Sequence, residues 1–371
     1  MVLADIPERL LMGPGPSMVH QRVLDALGKP LVGHLDPAFL SLLDEVQAAL
    51  RRLFGTDNEM TLPVSGTGSA GMELCLHNLV EEGDEVVVGV NGVFGTRMAE
   101  LAGRLGAEVH RVEADWGDVI DPAKVAGALA ACRSPALVAI VHAETSTGAW
   151  QPVEEISGLA HDAGALLLLD TVTSLAGCPV QVDRWGVDAS YSGTQKCLSC
   201  PPGLSPVTLS PRAMEKVASR RTPLGTWYFD LGLIGAYLGG ERVYHHTAPI
   251  SMIFGLAEAL AMVEEEGLEA RFDRHCTNHE LFIEGARALG LEPLVEEGKR
   301  LWMLNSVRVP EGIDETGFRQ GLLARHGIEI GPGLGPLAGG VWRVGLMGES
   351  SRRSNVERFL SAAAEELGRS Y

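Results

Sequence analysis

Lys196 stands in Tyr191-Ser192-Gly193-Thr194-Gln195-Lys196, after the short apolar run Val187–Tyr191 and before Pro201-Pro202-Gly203. The prolines and glycine force an irregular, sharply turning backbone, so the lysine is expected on a loop. A lysine there is either a solvated surface charge, the common fate, or an amine that adds to a carbonyl and then moves a proton. Asp170 bears on that choice. It closes the run Ala165-Leu166-Leu167-Leu168-Leu169, so a carboxylate emerges from an apolar strand at the edge where ligands bind in parallel sheets. Burial there demands a cationic partner. A protonated pyridine nitrogen is one, and an ionised carboxylate beside it keeps the ring an electron sink for a carbanion. The competing reading is a cap on the next helix. A third feature is Ser65-Gly66-Thr67-Gly68-Ser69, just before a helical stretch that begins near Ala70. Glycines for close backbone approach, hydroxyl donors and a helix N-terminus together make a phosphate cup. A ligand-free glycine–serine turn fits equally, since the pattern is neither a Walker loop nor G-x-G-x-x-G.

These residues need a scaffold that delivers them to one place. Apolar runs at Glu85–Val90, Ala136–Val141 and Ala165–Asp170 alternate with stretches of helical periodicity, which predicts a parallel sheet. Because the runs are apolar throughout, both faces should be covered by helices in a doubly wound α/β arrangement. After about Ser251 the pattern becomes a long helical region, Ile253–Gly267 and Leu268–Gly290. Beyond it Trp302–Val309 reads as a strand, Asp314–His326 as a helix, Val341–Leu346 as a strand and Ser354–Gly368 as a terminal helix, a small α+β unit. Internal repeats and low-complexity segments are lacking.

Bulk properties narrow the partners. The 371 residues exceed one ordinary core, so two domains are expected. The 48 acidic against 30 basic side chains give a net charge of −18, which repels nucleic acid and anionic lipid. The longest apolar runs fall short of the ~18 residues that span a bilayer, and the N-terminus has no basic leader. Six scattered cysteines argue for a reducing compartment. Cys197 and Cys200 form one C-x-x-C without a second pair, so no metal is expected.

The order of cup, strand-end aspartate and lysine resembles the class V aminotransferases of fold type I, nearly end to end. Within that class the likeness is to the alanine–glyoxylate and serine–pyruvate aminotransferase group. It rests on Gly13-Pro14-Gly15-Pro16-Ser17, Val90-Asn91-Gly92-Val93-Phe94-Gly95, Glu144-Thr145-Ser146-Thr147-Gly148, Ser192–Lys196, Tyr244-His245-His246-Thr247 and Gly333-Leu334-Gly335-Pro336. The resemblance implies an N-terminal arm over 1–16, a large domain binding pyridoxal 5′-phosphate over 17–255 and a small C-terminal α+β domain over 256–371. Lys196 would form the Schiff base with the cofactor aldehyde and shuttle the substrate proton. Asp170 would hold the pyridinium nitrogen, Val172 and Phe94 would cover the two ring faces, and Thr145 would lie near the phenolic oxygen. Thr67, Gly68, Ser69 and Gln195 would bind the phosphate, joined by Tyr244 and Thr247 from a partner subunit, which makes the enzyme a homodimer. Arg343 in Val341-Trp342-Arg343-Val344-Gly345 would grip the substrate carboxylate, with Thr145 and Gly15 beside it; on residue type alone it reads as well as a surface ion pair. Two positions depart from relatives: Phe94 often aligns with Trp, and Ser69 with His in some. The chain ends Gly-Arg-Ser-Tyr rather than in the peroxisomal tripeptide of animal relatives, so a cytoplasmic address is expected.

One carboxylate-gripping arginine in these motifs favours small monocarboxylate amino acids, alanine or serine, with glyoxylate as acceptor. Ureidoglycine–glyoxylate and 2-aminoethylphosphonate–pyruvate transamination are the alternatives within the class. A cysteine desulfurase would need a nucleophilic cysteine in the small domain, and residues 277–371 contain none. A dinucleotide oxidoreductase would have to use Gly331-Pro332-Gly333-Leu334-Gly335-Pro336, which leads into a strand and lacks two donors.

Overall fold

The computed structural model describes residues 6–238 and 241–370; the first five residues of the expected arm lie outside them. The central strands are β1 (Met60–Ser65), β2 (Glu85–Val90), β3 (Glu108–Glu113), β4 (Pro135–Val141), β5 (Leu166–Asp170), β6 (Ala189–Tyr191) and β7 (Leu204–Leu209). The apolar runs predict β2, β4, β5 and β6, whereas β1, β3 and β7 lie outside them. They make one sheet in the order β1-β7-β6-β5-β4-β2-β3. The run from β6 to β3 is parallel, while β7 is antiparallel to both of its neighbours, so the sheet is mixed. Strand direction depends on which edge a strand joins, and the local sequence of β7 does not encode that. Every residue of β5 and β7 is buried, as a sheet covered on both faces requires.

The connecting helices carry ordinary start signals. Asp36 caps α1 (Pro37–Phe54) by accepting the Ala38 amide, with proline in the first turn and Gly55 in the left-handed conformation at its end. The helices α2 (Gly68–Leu79), α3 (Val93–Arg104), α4 (Pro122–Ala131) and α5 (Glu154–Asp162) alternate with the strands. Two long helices follow, α6 (Ile250–Glu266) and α7 (Leu268–Ala288), and the C-terminal part adds α8 (Glu315–Gly321) and α9 (Arg353–Leu367) around β8 (Leu304–Arg308), β9 (Gly331–Pro332) and β10 (Val341–Gly345). The helix expected over Asp314–His326 is α8 continued by a wider π-helical turn, Leu322–His326.

The apolar core divides in two. The first cluster fills the large sheet and includes the buried face of α6, so the expected boundary at 255/256 falls inside a helix that belongs to the first cluster. The second gathers Phe282, Trp342, Phe359 and their neighbours, and it takes in Leu10 and Met12. Leu10–Leu11 pairs in parallel with Ile328–Glu329, so these arm residues are part of the C-terminal unit's core. Two arginines of α7 tie the clusters together: buried Arg271 donates to the carbonyls of Ala176 and Cys197, and half-buried Arg274 to those of Gly348 and Ser351. Among the described residues no helix is long and apolar enough to cross a membrane.

Candidate active site

The carboxyl end of β5, the loop after β6 and the N-terminal segment converge on Lys196. Asp170 closes β5 and is 3% exposed. Its Oδ1 accepts the Val172 amide at 2.8 Å and its Oδ2 the Tyr191 hydroxyl at 2.8 Å. The tyrosine contact follows from register, because parallel pairing of β5 with β6 sets Asp170 beside Tyr191. Burial, reinforced by the charge of Glu144, pushes the Asp170 carboxyl up to about 7 against the pull of its hydrogen bonds and Lys196. A cation set beside it would hold it ionised.

Lys196 is 9% exposed, and its Nζ donates to the Pro14 carbonyl. Burial first, then the nearby Arg343 guanidinium, lowers its ammonium to about 8, so a share of neutral, nucleophilic amine exists near physiological pH. The loop is pinned from the N-terminal side: the Ser17 amide donates to the Gln195 carbonyl at 2.9 Å and the Ser17 hydroxyl to the Lys196 carbonyl at 2.7 Å. Gly15 has φ +106°, and a Cβ there would stand 2.7 Å from Lys196 Nζ. Only glycine leaves room for the amine.

The Ser65–Ser69 turn does open a helix. Thr67 is the extended N-cap of α2 and makes no side-chain capping bond, leaving the helix N-terminus able to receive an anion. Thr67 and Ser69 are exposed and Gly68 is buried. Gly68, Val172, Gly193 and Gln195 meet there: a Cβ on Gly68 would lie 2.8 Å from Val172 Cγ2, and one on Gly193 would lie 2.9 Å from Gln195 Oε1. That carboxamide oxygen is buried with no hydrogen-bond partner, which leaves an unsatisfied polar group beside the helix N-terminus.

Phe94 lies on the first turn of α3, half-buried, with the Arg97 guanidinium 5.1 Å from its ring centroid. What holds it is Glu144, fully buried. The Glu144 carboxylate accepts the amides of Phe94 at 3.2 Å, Gly95 at 3.4 Å and Ser146 at 3.0 Å, and the Ser146 hydroxyl at 2.5 Å. Ser146 Oγ in turn accepts the Val93 amide at 3.0 Å. Burial raises the Glu144 carboxyl while these donors lower it, and the positive end of α3 favours its charge. The next residue, Thr145, shares a hydrogen bond with Thr173 at 2.6 Å and offers its carbonyl to Arg343 Nη1 at 3.0 Å.

Arg343 projects from β10 and is 5% exposed; its Nε donates to the Pro332 carbonyl at 2.7 Å. Burial lowers it to about 10 and Glu144 acts the other way; it stays a cation at neutral pH. It is thus a buried cation near Lys196, unlike the surface ion pair its residue type also allowed. Tyr244 and Thr247 stand apart. Both are exposed, Tyr244 by 58%, with its ring against His34 and Tyr237.

Three contributors have no signal in residue type alone: Tyr191 on Asp170, Glu144 under Phe94, and the Pro14 carbonyl on Lys196. Tyr191 and Glu144 sit inside runs with recognisable function, and only strand register and helix packing show what they touch. A cavity of 1040 Å³ lined by Asp57, Met60, His161, Asp188 and Arg212 lies elsewhere, and Asp188 is already satisfied by His161, Leu167 and Arg212.

A family model described as aminotransferase class-V matches residues 9–331. Alanine–glyoxylate aminotransferase of Drosophila melanogaster is 39% identical, covering 98% of this chain and 93% of its own. (S)-ureidoglycine–glyoxylate transaminase of Bacillus subtilis is also 39% identical, over 94% and 88%. The crystal structure of an alanine–glyoxylate aminotransferase from Nostoc sp. superposes with a TM-score of 0.97 at 49% identity, covering 99% of this chain and 97% of that one.

Proposed function

Because the chain belongs to the class-V aminotransferase family, we propose that it transfers the amino group of alanine or serine to glyoxylate, giving glycine and pyruvate or hydroxypyruvate. Enzymes of this family are pyridoxal-5′-phosphate-dependent aminotransferases, and so is this one. The cofactor, when bound, supplies an aldehyde to take the amino group and a ring that accepts electrons.

The chain's own residues divide that work. Asp170, desolvated and held by Val172 and Tyr191, pairs with the ring nitrogen. Lys196 would hold the cofactor through its amine and would hold or move the proton at the substrate Cα. Val172 and Phe94 would confine the ring, and Thr145 would lie at its phenolic edge. Thr67, Gly68, Ser69 and Gln195 take the phosphate on the N-terminus of α2. Arg343, with Gly15 and Thr145 at its side, binds the substrate carboxylate. Tyr244 and Thr247 would reach the phosphate of a partner subunit in a homodimer; the exposure of both, together with that of Leu31, Leu35, Trp227 and Val243, supports that reading. Cys197 and Cys200 are buried, and burial pushes both thiols up to about 12, which leaves them inert rather than desulfurase nucleophiles. A cytoplasmic address completes the proposal, supported by six cysteines that all remain unpaired.

The substrate class rests on one observation: Arg343 is a buried guanidinium close enough to Lys196 to lower its pKa, so a carboxylate bound there brings the amino acid's Cα to the lysine. Stopped-flow mixing of holoenzyme with single donors tests it. Alanine or serine should convert the cofactor's visible absorbance, and glyoxylate should restore it. Equal identity to the ureidoglycine enzyme favours a second donor; if ureidoglycine alone converts the cofactor, the alanine and serine assignment is wrong.

A further inference from the structure

Asp170 is the last residue of β5, whereas Glu85 is the first residue of β2 in the same parallel run, so Glu85 marks the opposite end of the sheet. Register sets Glu85 beside Glu108, and His110, two residues along β3, shares their face. Cys132 closes α4 directly after its last residue. One donor atom each from Glu85, His110 and Cys132 lie within 4.8 Å of one another. His110 Nε2 is 3.9 Å from Glu85 Oε1 and 3.8 Å from Glu108 Oε1, too far for hydrogen bonds. The same nitrogen is buried and has no hydrogen-bond partner.

We propose that Glu85, His110 and Cys132 bind a divalent transition-metal ion, with zinc the best match. Carboxylate, imidazole and thiolate on one centre are zinc's ligand set. Zinc bonds of about 2.0–2.3 Å put tetrahedral donors roughly 3.3–3.8 Å apart, so Glu85 and His110 need little contraction, and the Cys132 thiol, which now donates to the Ala128 carbonyl at 3.3 Å, gives up that weak bond to coordinate the ion. The site has an outer shell as well: the Arg133 amide is shared between Glu85 Oε2 at 2.9 Å and Oε1 at 3.1 Å, and the Ser134 amide donates to Oε2 at 2.7 Å, aiming the carboxylate from the two residues after Cys132. Glu108 or water fills the fourth position. On binding, the Cys132 thiol releases its proton to solvent and the thiolate coordinates the ion. The ion would fasten the edge strand β3 to β2 and α4, and a fastened edge resists pairing with other chains.

Chelator-treated holoenzyme titrated with zinc chloride in a calorimeter should bind one ion per chain and show a raised unfolding temperature. His110→Ala and Cys132→Ser should each weaken binding at least tenfold and lose the thermal shift, with transamination rates unchanged. Cobalt(II) gives a second readout, a thiolate charge-transfer band present in the wild type and lost in Cys132→Ser. Zinc binding of wild-type strength in both variants, a cobalt band that survives Cys132→Ser, or no zinc binding by the wild type would each overturn the proposal.

Discussion

At the scale of the residue, the central fact is that burial weakens the charges of both Lys196 and Asp170. Lys196 is lowered to about 8 by burial and by Arg343. Below that pH the amine is protonated and cannot add to an aldehyde; above it the neutral form dominates. The rate at which apoenzyme captures pyridoxal 5′-phosphate, followed by absorbance, should therefore fall about tenfold per pH unit below about 8. Arg343→Gln should shift that fall to higher pH, because the repelling guanidinium is gone. A profile that does not move would mean that burial alone sets the lysine. Glu144 permits a second test. Glu144→Gln replaces an acceptor-only carboxylate by a group that keeps one acceptor, loosening the first turn of α3 and Phe94. Losing a charge-assisted hydrogen bond costs about 1.5–3 kcal/mol, so cofactor affinity should drop roughly tenfold or more. Titration of apoenzyme with cofactor measures it, and unchanged affinity would show that Phe94 does not depend on the clamp.

Elements position these groups, and the elements were the most legible part of the sequence. The run Glu85–Val90 is a strand with those bounds, and the leucines before Asp170 form a fully buried strand, because uninterrupted apolar side chains are stable only between two covered faces. Leu168→Ala should cost about 2–5 kcal/mol by opening a cavity in the centre of that sheet, visible as an earlier midpoint in urea unfolding. Gly15→Ala should act on both stability and activity. Its φ of +106° strains any L side chain, and a Cβ would stand 2.7 Å from Lys196 Nζ, so the urea midpoint should fall modestly while transamination collapses under conditions where the variant is still folded. Near-wild-type transamination by the folded variant would show that the N-terminal segment serves folding rather than the lysine. The antiparallel β7 and the π-helical turn after α8 were not legible, since each answers to a neighbour distant in sequence.

Across the whole molecule, one part of the proposed phosphate site comes from a second chain. If Tyr244 and Thr247 complete a partner's phosphate site, Lys196→Ala subunits mixed with Tyr244→Ala/Thr247→Ala subunits form heterodimers that hold one intact site. Refolding the two inactive variants together should restore activity that neither has alone. Persistent inactivity of the mixture, with dimers confirmed by sedimentation, would place those two residues outside the partner's site. The sequence by itself determined the alternating α/β pattern, the strand-end Asp170, the turn that carries Lys196 and the glycine–serine turn that opens α2. These are local consequences of periodicity, turn chemistry and helix capping, which act over a few residues. Tertiary structure alone decided that Leu10 and Met12 belong to the C-terminal core, that Tyr191 and Glu144 serve Asp170 and Phe94, and that Gly15 and Pro14 enclose the amine. Those contacts join residues about fifty to more than three hundred positions apart or are fixed by strand register, and register and packing are settled only when the cores close around them.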